Sequence, residues 1–281
     1  MRRIRTVRWI TIAVVVLGLT IWTVWGNTAV QCNTITVTAD DAFSGLRIAQ
    51  VPDLHNASFG EGNEKLLEIL ADTQPDLIAI TGDLVDSRRT NSDIALSFAE
   101  KAVQFAPCYF VTGNHEARID AFSELEADLI AAGVTVLRDQ STEFEYNGER
   151  IQIIGLDDPA FDGTDSWDKT DAEAVGDKIR TLAGENTDFK LLLSHRPELF
   201  DTYCTAGVDL VLSGHAHGGQ FRLPLIGGLV APNQGLFPKY DAGLYQSGGT
   251  AMVVSRGLGN SILPVRFNNR PEVVVIEFTA K

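Results

Sequence analysis

The chain has 281 residues, of which 44% are hydrophobic and 21% are charged, so it can bury a substantial core and should not stay disordered. The formal net charge is −14, but four of the 23 basic residues lie within the first eight positions and all 37 acidic residues follow. The remainder therefore carries a net charge of −18. That charge argues against long polynucleotides and anionic membrane surfaces as bulk partners.

The N-terminus predicts a membrane anchor. Four arginines precede an apolar run from Trp9 to Trp25, which as a helix would be roughly 25 Å long, against about 30 Å for a bilayer core. The basic residues predict a cytoplasmic N-terminus and an extracytoplasmic domain in a single-pass protein of the cell membrane. The alternative is a cleaved signal peptide and a secreted protein, which Trp22 and Trp25 fit poorly. Residues 1–26 are thus an anchor or signal peptide, 27–45 a polar linker and 46–281 the folded domain.

Beyond the linker, short apolar runs alternate with segments of helical spacing. The predicted strands are Leu46–Val51, Leu77–Thr81 and Cys108–Thr112. The predicted helices are Glu64–Ala71, Ile94–Phe105 and Leu125–Ala132. This alternation predicts βαβ units with a largely parallel sheet, and therefore an α/β fold.

The second half contains more strand-like sequence. The predicted strands are Ile151–Leu156, Phe189–Ser194, Val208–Ser213, Gln220–Leu223, Met252–Ser255 and Val273–Phe278. Helical spacing recurs at Ala172–Leu182 and Pro197–Tyr203, and residues 223–249 are rich in Gly and Pro, which predicts loops and hairpins. Cys32, Cys108 and Cys204 have no metal-knuckle spacing and form no complete disulfide framework.

Possible metal ligands follow the ends of five predicted strands. Asp53 and His55 follow the first strand, Asp83 the second, and Asn114 and His115 the third. Two later strands lead to His195 and to the sequence Gly214-His215-Ala216-His217, so all five histidines of the chain lie just past a strand. Ligands of open α/β sheets bind beyond the carboxyl ends of the strands. These side chains are therefore expected to meet at one edge.

The residue types indicate which metals would bind. A mixture of Asp, Asn and His favours Mn, Fe or Zn, with Mg as a further candidate. Two such ions about 3.5–4 Å apart can clamp a phosphate and activate a water molecule. The sequence therefore predicts a binuclear centre that takes two divalent metal ions as cofactors.

The ordered motifs resemble those of the calcineurin-like metallophosphoesterase superfamily. They are Asp53-Leu54-His55, Gly82-Asp83, Gly113-Asn114-His115-Glu116, His195 and Gly214-His215-Ala216-His217. The tail around Ser255-Arg256-Gly257, Pro264, Arg266 and Arg270-Pro271-Glu272 resembles the membrane-anchored or exported bacterial branch. The resemblance implies a four-layer α/β/β/α sandwich with two mixed sheets. The sequence departs from the family pattern at Pro52, where a small hydroxyl residue is usual.

The resemblance also implies a role for each matching residue. One metal would be held by Asp53, His55 and His217, and the other by Asn114, His195 and His215. Asp83 would bridge the two ions, while His115 would contact the phosphate and assist the leaving group. Glu116 and Asp86 could orient these groups. Arg256 and Arg266 are candidates to bind the substrate phosphate, and Asp157 and Asp158 either approach the site or cap a turn.

The predicted function is hydrolysis of a phosphodiester, phosphomonoester or pyrophosphate bond by a hydroxide that two metals activate. The substrate would be a small-molecule or lipid-linked phosphate ester. One alternative is a metal-binding surface protein without turnover, which would have no need of His115. The other is a nuclease, which the charge of −18 argues against.

Overall fold

Two six-stranded sheets stack face to face, with helices on both outer faces. The computed structural model describes residues 2–163, 170–186, 188–260 and 263–280. The helices are α1 (Arg2–Thr28), α2 (Glu64–Asp72), α3 (Ser92–Ala102), α4 (Phe122–Ala131), α5 (Ala172–Ala183) and α6 (Phe200–Ala206). The α/β sandwich with two mixed sheets, as expected from the family resemblance, is confirmed.

The first sheet has the strand order β1-β16-β2-β3-β4-β5. Its strands are β1 (Gln31–Ala39), β2 (Arg47–Gln50), β3 (Leu77–Thr81), β4 (Cys108–Val111), β5 (Thr135–Val136) and β16 (Glu272–Ala280). Strands β2 to β5 are parallel, and β16 runs antiparallel to β2. The carboxyl ends of β2, β3 and β4 therefore point to the same edge.

The second sheet has the order β14-β15-β9-β8-β7-β6. Its strands are β6 (Gln140–Tyr146), β7 (Glu149–Gly155), β8 (Phe189–Leu193), β9 (Leu210–Ser213), β14 (Gly243–Ser247) and β15 (Thr250–Val254). Strands β7, β8, β9 and β15 are parallel, whereas β6 and β14 are antiparallel edge strands. Between β9 and β14 the chain forms two short hairpins, made by β10 (Arg222–Leu223) with β11 (Gly227–Gly228) and by β12 (Val230–Ala231) with β13 (Gly235–Leu236).

Alternation along the buried strands creates the layers. In β3, Leu77 and Ala79 pack between the two sheets, while Ile78 and Ile80 face the helices on the outer side. Successive side chains of a strand point to opposite faces, so a strand buried on both sides is apolar throughout. Outside the second sheet, Ile154 and Leu192 pack on the helical side with Ile179 of α5.

The predicted linker is the main correction to the sequence analysis of the fold. Residues 31–39 form strand β1, which pairs in parallel with β16 from Gln31↔Glu272 to Ala39↔Ala280. The exposure of this strand alternates because it lies at the edge of the sheet, and its threonines supported the polar-connector interpretation. Its partner lies about 240 positions away in sequence, so no local signal pointed to the pairing.

Helix α1 extends to Thr28, beyond the apolar run that predicted it. Residues Val7–Thr28 are long and apolar enough to cross a membrane, with a mean hydropathy of 2.0. At about 1.5 Å per residue, 22 residues give roughly 33 Å, which matches a bilayer core better than the run from Trp9 to Trp25. The helix end also contacts the domain, since the side chain of Asn27 accepts from the backbone N–H of Arg266 at 2.7 Å.

Candidate metal centre

The carboxyl ends of five strands bring the predicted ligands together. The loops after β2, β3 and β4 carry Asp53 and His55, then Asp83, then Asn114 and His115. From the second sheet, His195 follows β8, and His215 and His217 follow β9. All eight side chains are buried. The strand ends of both sheets therefore meet in one polar cluster inside the fold.

Asp83 is common to two groups of potential ligand atoms. Asp53, His55, Asp83 and His217 offer atoms within 4.8 Å of one another, and so do Asp83, His195 and His215. Oδ2 of Asp83 lies 3.4 Å from His55 Nε2 and 3.2 Å from His195 Nε2. A carboxylate between two clusters has the geometry of a bridging ligand.

Two observations test whether metals fit these residues. Nδ1 of His195 lies 2.8 Å from the carbonyl oxygen of Thr81 and donates to it, so Nε2 turns its lone pair towards Asp83. A backbone acceptor behind an imidazole is the usual support of a metal-binding histidine. Oδ1 of Asn114 is buried with no hydrogen-bond partner among the described residues. An unpaired buried acceptor costs about 1–3 kcal/mol, which coordination would offset.

The backbone of the ligand loops adopts a left-handed conformation. Five of the ligand candidates have φ between 45° and 65°, namely Asp53, His55, Asp83, His215 and His217. Such conformations cost about 1–3 kcal/mol each and cluster at functional sites. Close approach also requires glycine: a Cβ at Gly113 would collide with Asp83 Oδ1, and one at Gly214 would meet the Asp53 carboxylate. These loops therefore keep a strained geometry that brings the side chains together.

Burial sets the protonation of the imidazoles. It lowers the pKa of His55 to about 3 and the pKa values of His215 and His217 well below their usual range. Neutral imidazole is the form that binds a metal. For His195 burial also acts to lower the pKa, but the Asp83 carboxylate raises it to about 10. A cation at this position would replace the proton that Asp83 favours on His195.

The two aspartates differ in charge state. Burial raises the pKa of Asp53 to about 7, although its carboxylate accepts from the backbone N–H of His215 at 3.0 Å. Burial likewise acts to raise the pKa of Asp83, but the imidazoles of His195 and His55 hold it well below the usual range. Asp83 is therefore the carboxyl group of the cluster that stays ionised.

His115 lies beside the cluster with a defined tautomer. Its Nδ1 accepts a hydrogen bond from the backbone N–H of Ser87 at 2.9 Å, and Asp86 Oδ1 lies 3.7 Å away. Because Nδ1 is an acceptor, the proton of the neutral ring is on Nε2. Burial lowers the pKa of His115, which favours this neutral form.

Glu116 connects the loops of the first sheet. Its carboxylate accepts from the backbone N–H groups of Asp83 and Gly113 at 2.8 Å and from that of Val85 at 3.3 Å. The side chain is fully buried. Glu116 therefore fixes the backbone from which Asp83 and Asn114 project, in agreement with the predicted orienting role.

The structure corrects the prediction for Arg266. This residue is 2% exposed, and its guanidinium donates to the carbonyl oxygens of Arg256 and Gly259 and to Asn260 Oδ1, at 2.7, 2.5 and 3.0 Å. Its Nη2 lies 3.4 Å from His217 Nδ1. A guanidinium with these partners supports the loops behind His217 and does not present itself to a substrate. Arg256 is half-buried beside Glu272 and remains a prediction as a phosphate ligand.

Arg196 is a residue that the sequence analysis missed. It forms a buried two-contact ion pair with Asp158, and its Nη1 lies 3.2 Å from His215 Nε2. Asp158 also accepts from Ala160 N–H at 2.9 Å, so it caps a turn as well as holding the arginine. Asp157 instead binds Arg138. The position of Arg196 directly after His195 was the only local signal for it.

A cavity of about 380 Å³ borders the cluster at His55. Its lining includes His55, Asp86, Arg89, Ile94 and Asn260. The guanidinium of Arg89 is largely exposed, with 78% of its side-chain surface accessible. A substrate that reaches His55 through this cavity would therefore pass a cation.

A family model described as calcineurin-like phosphoesterase matches residues 46–219. This match covers more than half of the chain and includes all of the ligand loops. The chain therefore belongs to the calcineurin-like phosphoesterase family.

Several relatives carry the same description. The chain is 31% identical to the uncharacterized metallophosphoesterase YkuE of Bacillus subtilis, over 85% of this chain and 80% of YkuE. It is 29% identical to phosphodiesterase YaeI of Escherichia coli, over 84% and 83%. A transmembrane protein with metallophosphoesterase domain from Danio rerio is 28% identical over 84% of this chain, which spans 54% of that protein.

Solved structures show the same fold at lower identity. The protein TT1561 of Thermus thermophilus matches with a TM-score of 0.53 and 16% identity, over 76% of this chain and 91% of that one. The sulfate thiohydrolase SoxB of Thermus thermophilus matches with a TM-score of 0.54 and 12% identity, over 84% of this chain and 57% of SoxB. At these identities the likeness extends to the fold alone.

Proposed function

We propose that this chain is a membrane-anchored enzyme that hydrolyses phosphodiester, phosphomonoester or pyrophosphate bonds with two divalent metal ions. The observation that carries the proposal is the position of Asp83 between two buried ligand groups, with His115 alongside. Membership of a phosphoesterase family and 29% identity to a protein named a phosphodiesterase support the same reaction.

The ligand sets follow from the two clusters. Asp53, His55 and His217 would hold one ion, Asn114, His195 and His215 the other, and Asp83 both. When bound, such ions polarise phosphoryl oxygens and lower the pKa of water. The side chains are buried and held by Thr81, Glu116 and neighbouring backbone groups, so the ligand atoms need little reorganisation on binding.

His115 would act on the leaving group. Its Nδ1 accepts from Ser87, so Nε2–H is free of that contact and would donate a hydrogen bond that stabilises the charge on the departing oxygen. Asp86, held by Arg88 at 3.0 Å, lies 3.7 Å from Nδ1, where its negative charge acts to raise the pKa of His115 against the effect of burial. A binding protein without turnover would have no need of this arrangement.

The catalytic domain would lie outside the cytoplasm. Four arginines precede the apolar run from Trp9 to Trp25, and none of the 37 acidic residues does. Positive residues near a membrane span stay on the cytoplasmic side, which directs the following domain to the other face.

A metal-exchange assay tests the function. The full chain, in detergent, is stripped of metal and reloaded separately with Mn, Zn, Fe or Mg, because the end of α1 contacts the domain through Asn27. Hydrolysis of bis-p-nitrophenyl phosphate and p-nitrophenyl phosphate is then compared, with His115→Ala as the control. Metal-dependent release that the variant loses supports the proposal.

Two results would contradict the proposed function. Two bound ions without hydrolysis of any phosphate ester would favour the metal-binding surface protein. Preferred cleavage of DNA with a steep salt dependence would favour the nuclease.

A further inference from the structure

One long segment of this acidic chain is almost free of acidic residues. Between residues 210 and 271 there is one acidic residue, Asp241, against five basic ones, whereas the whole chain has a net charge of −14. Asp241 is itself paired with Arg222 at 2.9 Å. This acid-poor segment, residues 210–271, is therefore a positively charged part of a negative protein.

The same segment carries most of the exposed large hydrophobic side chains. Outside α1, nine of the eleven such side chains among the described residues lie within it, and the other two are Phe105 and Ile130. The nine are Leu223, Leu225, Ile226, Leu236, Phe237, Leu244, Leu263, Val265 and Phe267. Exposed apolar residues concentrated in one region mark an interaction surface.

Backbone hydrogen bonds join these loops into one layer. Arg222 N–H donates to Phe267 O at 3.0 Å, Leu229 N–H to Phe221 O at 2.9 Å, and Phe237 N–H to Leu229 O at 2.9 Å. Residues 221–237 and 263–267 thus form a continuous sheet-like unit, called here the apolar layer. Its exposed side chains are therefore carried by one hydrogen-bonded unit rather than by separate loops.

The apolar layer is directly connected to the end of the membrane helix. Asn27 pairs with Arg266 through two hydrogen bonds, at 2.7 and 3.1 Å, and Val265 and Phe267 flank that arginine. The guanidinium of Arg270 lies over the ring of Trp25 at 4.4 Å. Tryptophan near the end of a span lies at the membrane interface. A bilayer around α1 would therefore meet the apolar layer at its surface.

The cavity beside His55 lies near the end of α1. Asn260, which lines the cavity beside His55, donates to Asn27 Oδ1 at 3.4 Å. A single hydrogen bond, from Asn260 to Asn27, thus connects the lining of the cavity to the end of α1. A phosphate group at the lipid headgroup level would need no transfer through bulk water to reach the cavity.

We propose that the apolar layer is a second membrane contact, which lies in the bilayer interface and holds the cavity of the metal centre against the lipid headgroups. The occupant of this surface is the bilayer, and the substrates are phosphate esters carried on lipids. The substrate part rests on the proposed phosphoesterase function. Interfacial binding combines buried apolar side chains with attraction of basic residues to anionic headgroups. The acid-poor segment offers the apolar side chains together with the exposed cation of Lys239.

The first test measures depth in the bilayer and needs no turnover. The full chain carries Cys32→Ser and Cys204→Ser, is labelled with bimane at Ile226→Cys, and is placed in nanodiscs that contain brominated phosphatidylcholine and phosphatidylglycerol. Ile130→Cys is the matched control, because the two isoleucines are 59% and 56% exposed and Ile130 lies on α4 outside the layer. Quenching several-fold stronger at 226 than at 130 is expected.

Equal quenching at the two positions would overturn the membrane contact and assign the layer to a protein partner. Phe237→Cys against Phe105→Cys repeats the comparison, so that misfolding of one variant does not decide the result. Both phenylalanines are exposed, and only Phe237 belongs to the layer.

The second test addresses the substrate. Hexadecyl p-nitrophenyl phosphate in vesicles and methyl p-nitrophenyl phosphate in solution share the reacting group and differ in the lipid chain. We expect the double variant Leu225→Ser, Ile226→Ser to lower the ratio of lipid to soluble hydrolysis about ten-fold, whereas Ile130→Ser leaves it unchanged. An unchanged ratio in the double variant would overturn the substrate assignment. Hydrolysis of neither diester by the wild type would contradict the phosphodiesterase form of the proposed function, and the quenching result would still decide the membrane contact.

Discussion

The two sheets supply different chemistry to the same centre. The first sheet contributes mainly candidate oxygen ligands, through Asp53, Asp83 and Asn114, whereas the second contributes three imidazoles. Their supports differ as well. Glu116 binds three backbone N–H groups behind the first set, and a buried arginine, Arg196, lies behind His215 in the second.

Each half of the candidate centre keeps its shape through a different kind of interaction. Glu116 connects two loops of the first sheet by accepting hydrogen bonds from their backbone N–H groups. It therefore fixes the backbone positions from which the side chains of these loops project. Arg196 and Asp158 form an ion pair inside the protein, so the second half depends on mutual neutralisation of charge. Substitutions in the first half should therefore disturb the backbone of the loops, whereas substitutions in the second half should leave a buried charge without its partner.

The largest effect is expected where the halves meet. Asp83→Ala removes the carboxylate that both ligand groups share, so both ions should be lost and turnover should fall to background. Metal content by mass spectrometry checks this, with the exposed Asp72→Ala as a control that keeps two ions. Retention of two ions by Asp83→Ala would contradict its bridging role.

His115→Ala should spare the ligand groups and damage the chemistry. Turnover is expected to fall about 10²–10⁴-fold with two ions still bound, since a hydrogen-bond donor to the departing oxygen is lost. The loss should be greater for phenyl than for p-nitrophenyl esters, because the poorer leaving group depends more on stabilisation of its charge. Equal losses for both esters would assign His115 a role other than donation to the leaving group.

Arg196→Met tests the ionic support of the second sheet. Removing the arginine leaves the buried Asp158 carboxylate without its counter-charge, which should lower the free energy of unfolding by about 3–5 kcal/mol. Arg138→Met is the matched control, because its pair with Asp157 is partly exposed and should contribute about 1 kcal/mol or less. Denaturant unfolding measures the free energy of unfolding of both variants. Equal decreases in the two variants would contradict the ionic support proposed for the second sheet.

Glu116→Gln tests the backbone support of the first sheet and should have the smallest effect. The amide keeps the shape but can turn an NH₂ group towards backbone donors, which should cost about 1–3 kcal/mol of stability while two ions remain bound. Unfolding curves and metal content check this result. The exposed Glu124→Gln should change stability by no more than about 0.5 kcal/mol.

The sequence could predict the centre because strand ends are local signals. Asp53, Asp83, Asn114 and His195 each follow an apolar run, and parallel strands bring their ends to one edge. β3 was predicted with the bounds that it has. These features depend on short-range patterns of apolar and polar residues.

The features that were missed depend on distant contacts. β1 resembles a polar connector until β16 pairs with it, and β6 has half-exposed alternation typical of an antiparallel edge. Arg266 has a charge suited to phosphate, yet its acceptors are Arg256, Gly259 and Asn260, which the sequence does not mark as partners. Which groups an arginine contacts is decided by tertiary structure.

The pairing of β1 with β16 also orders the events of folding. Gln31 follows α1 almost directly, but its neighbour Glu272 is made about 240 residues later. During synthesis the edge of the first sheet therefore lacks its partner until residue 272 has emerged. Contacts of such high sequence separation slow folding. The nascent chain thus completes its first sheet only after the loops that carry the candidate ligands of both sheets have been translated.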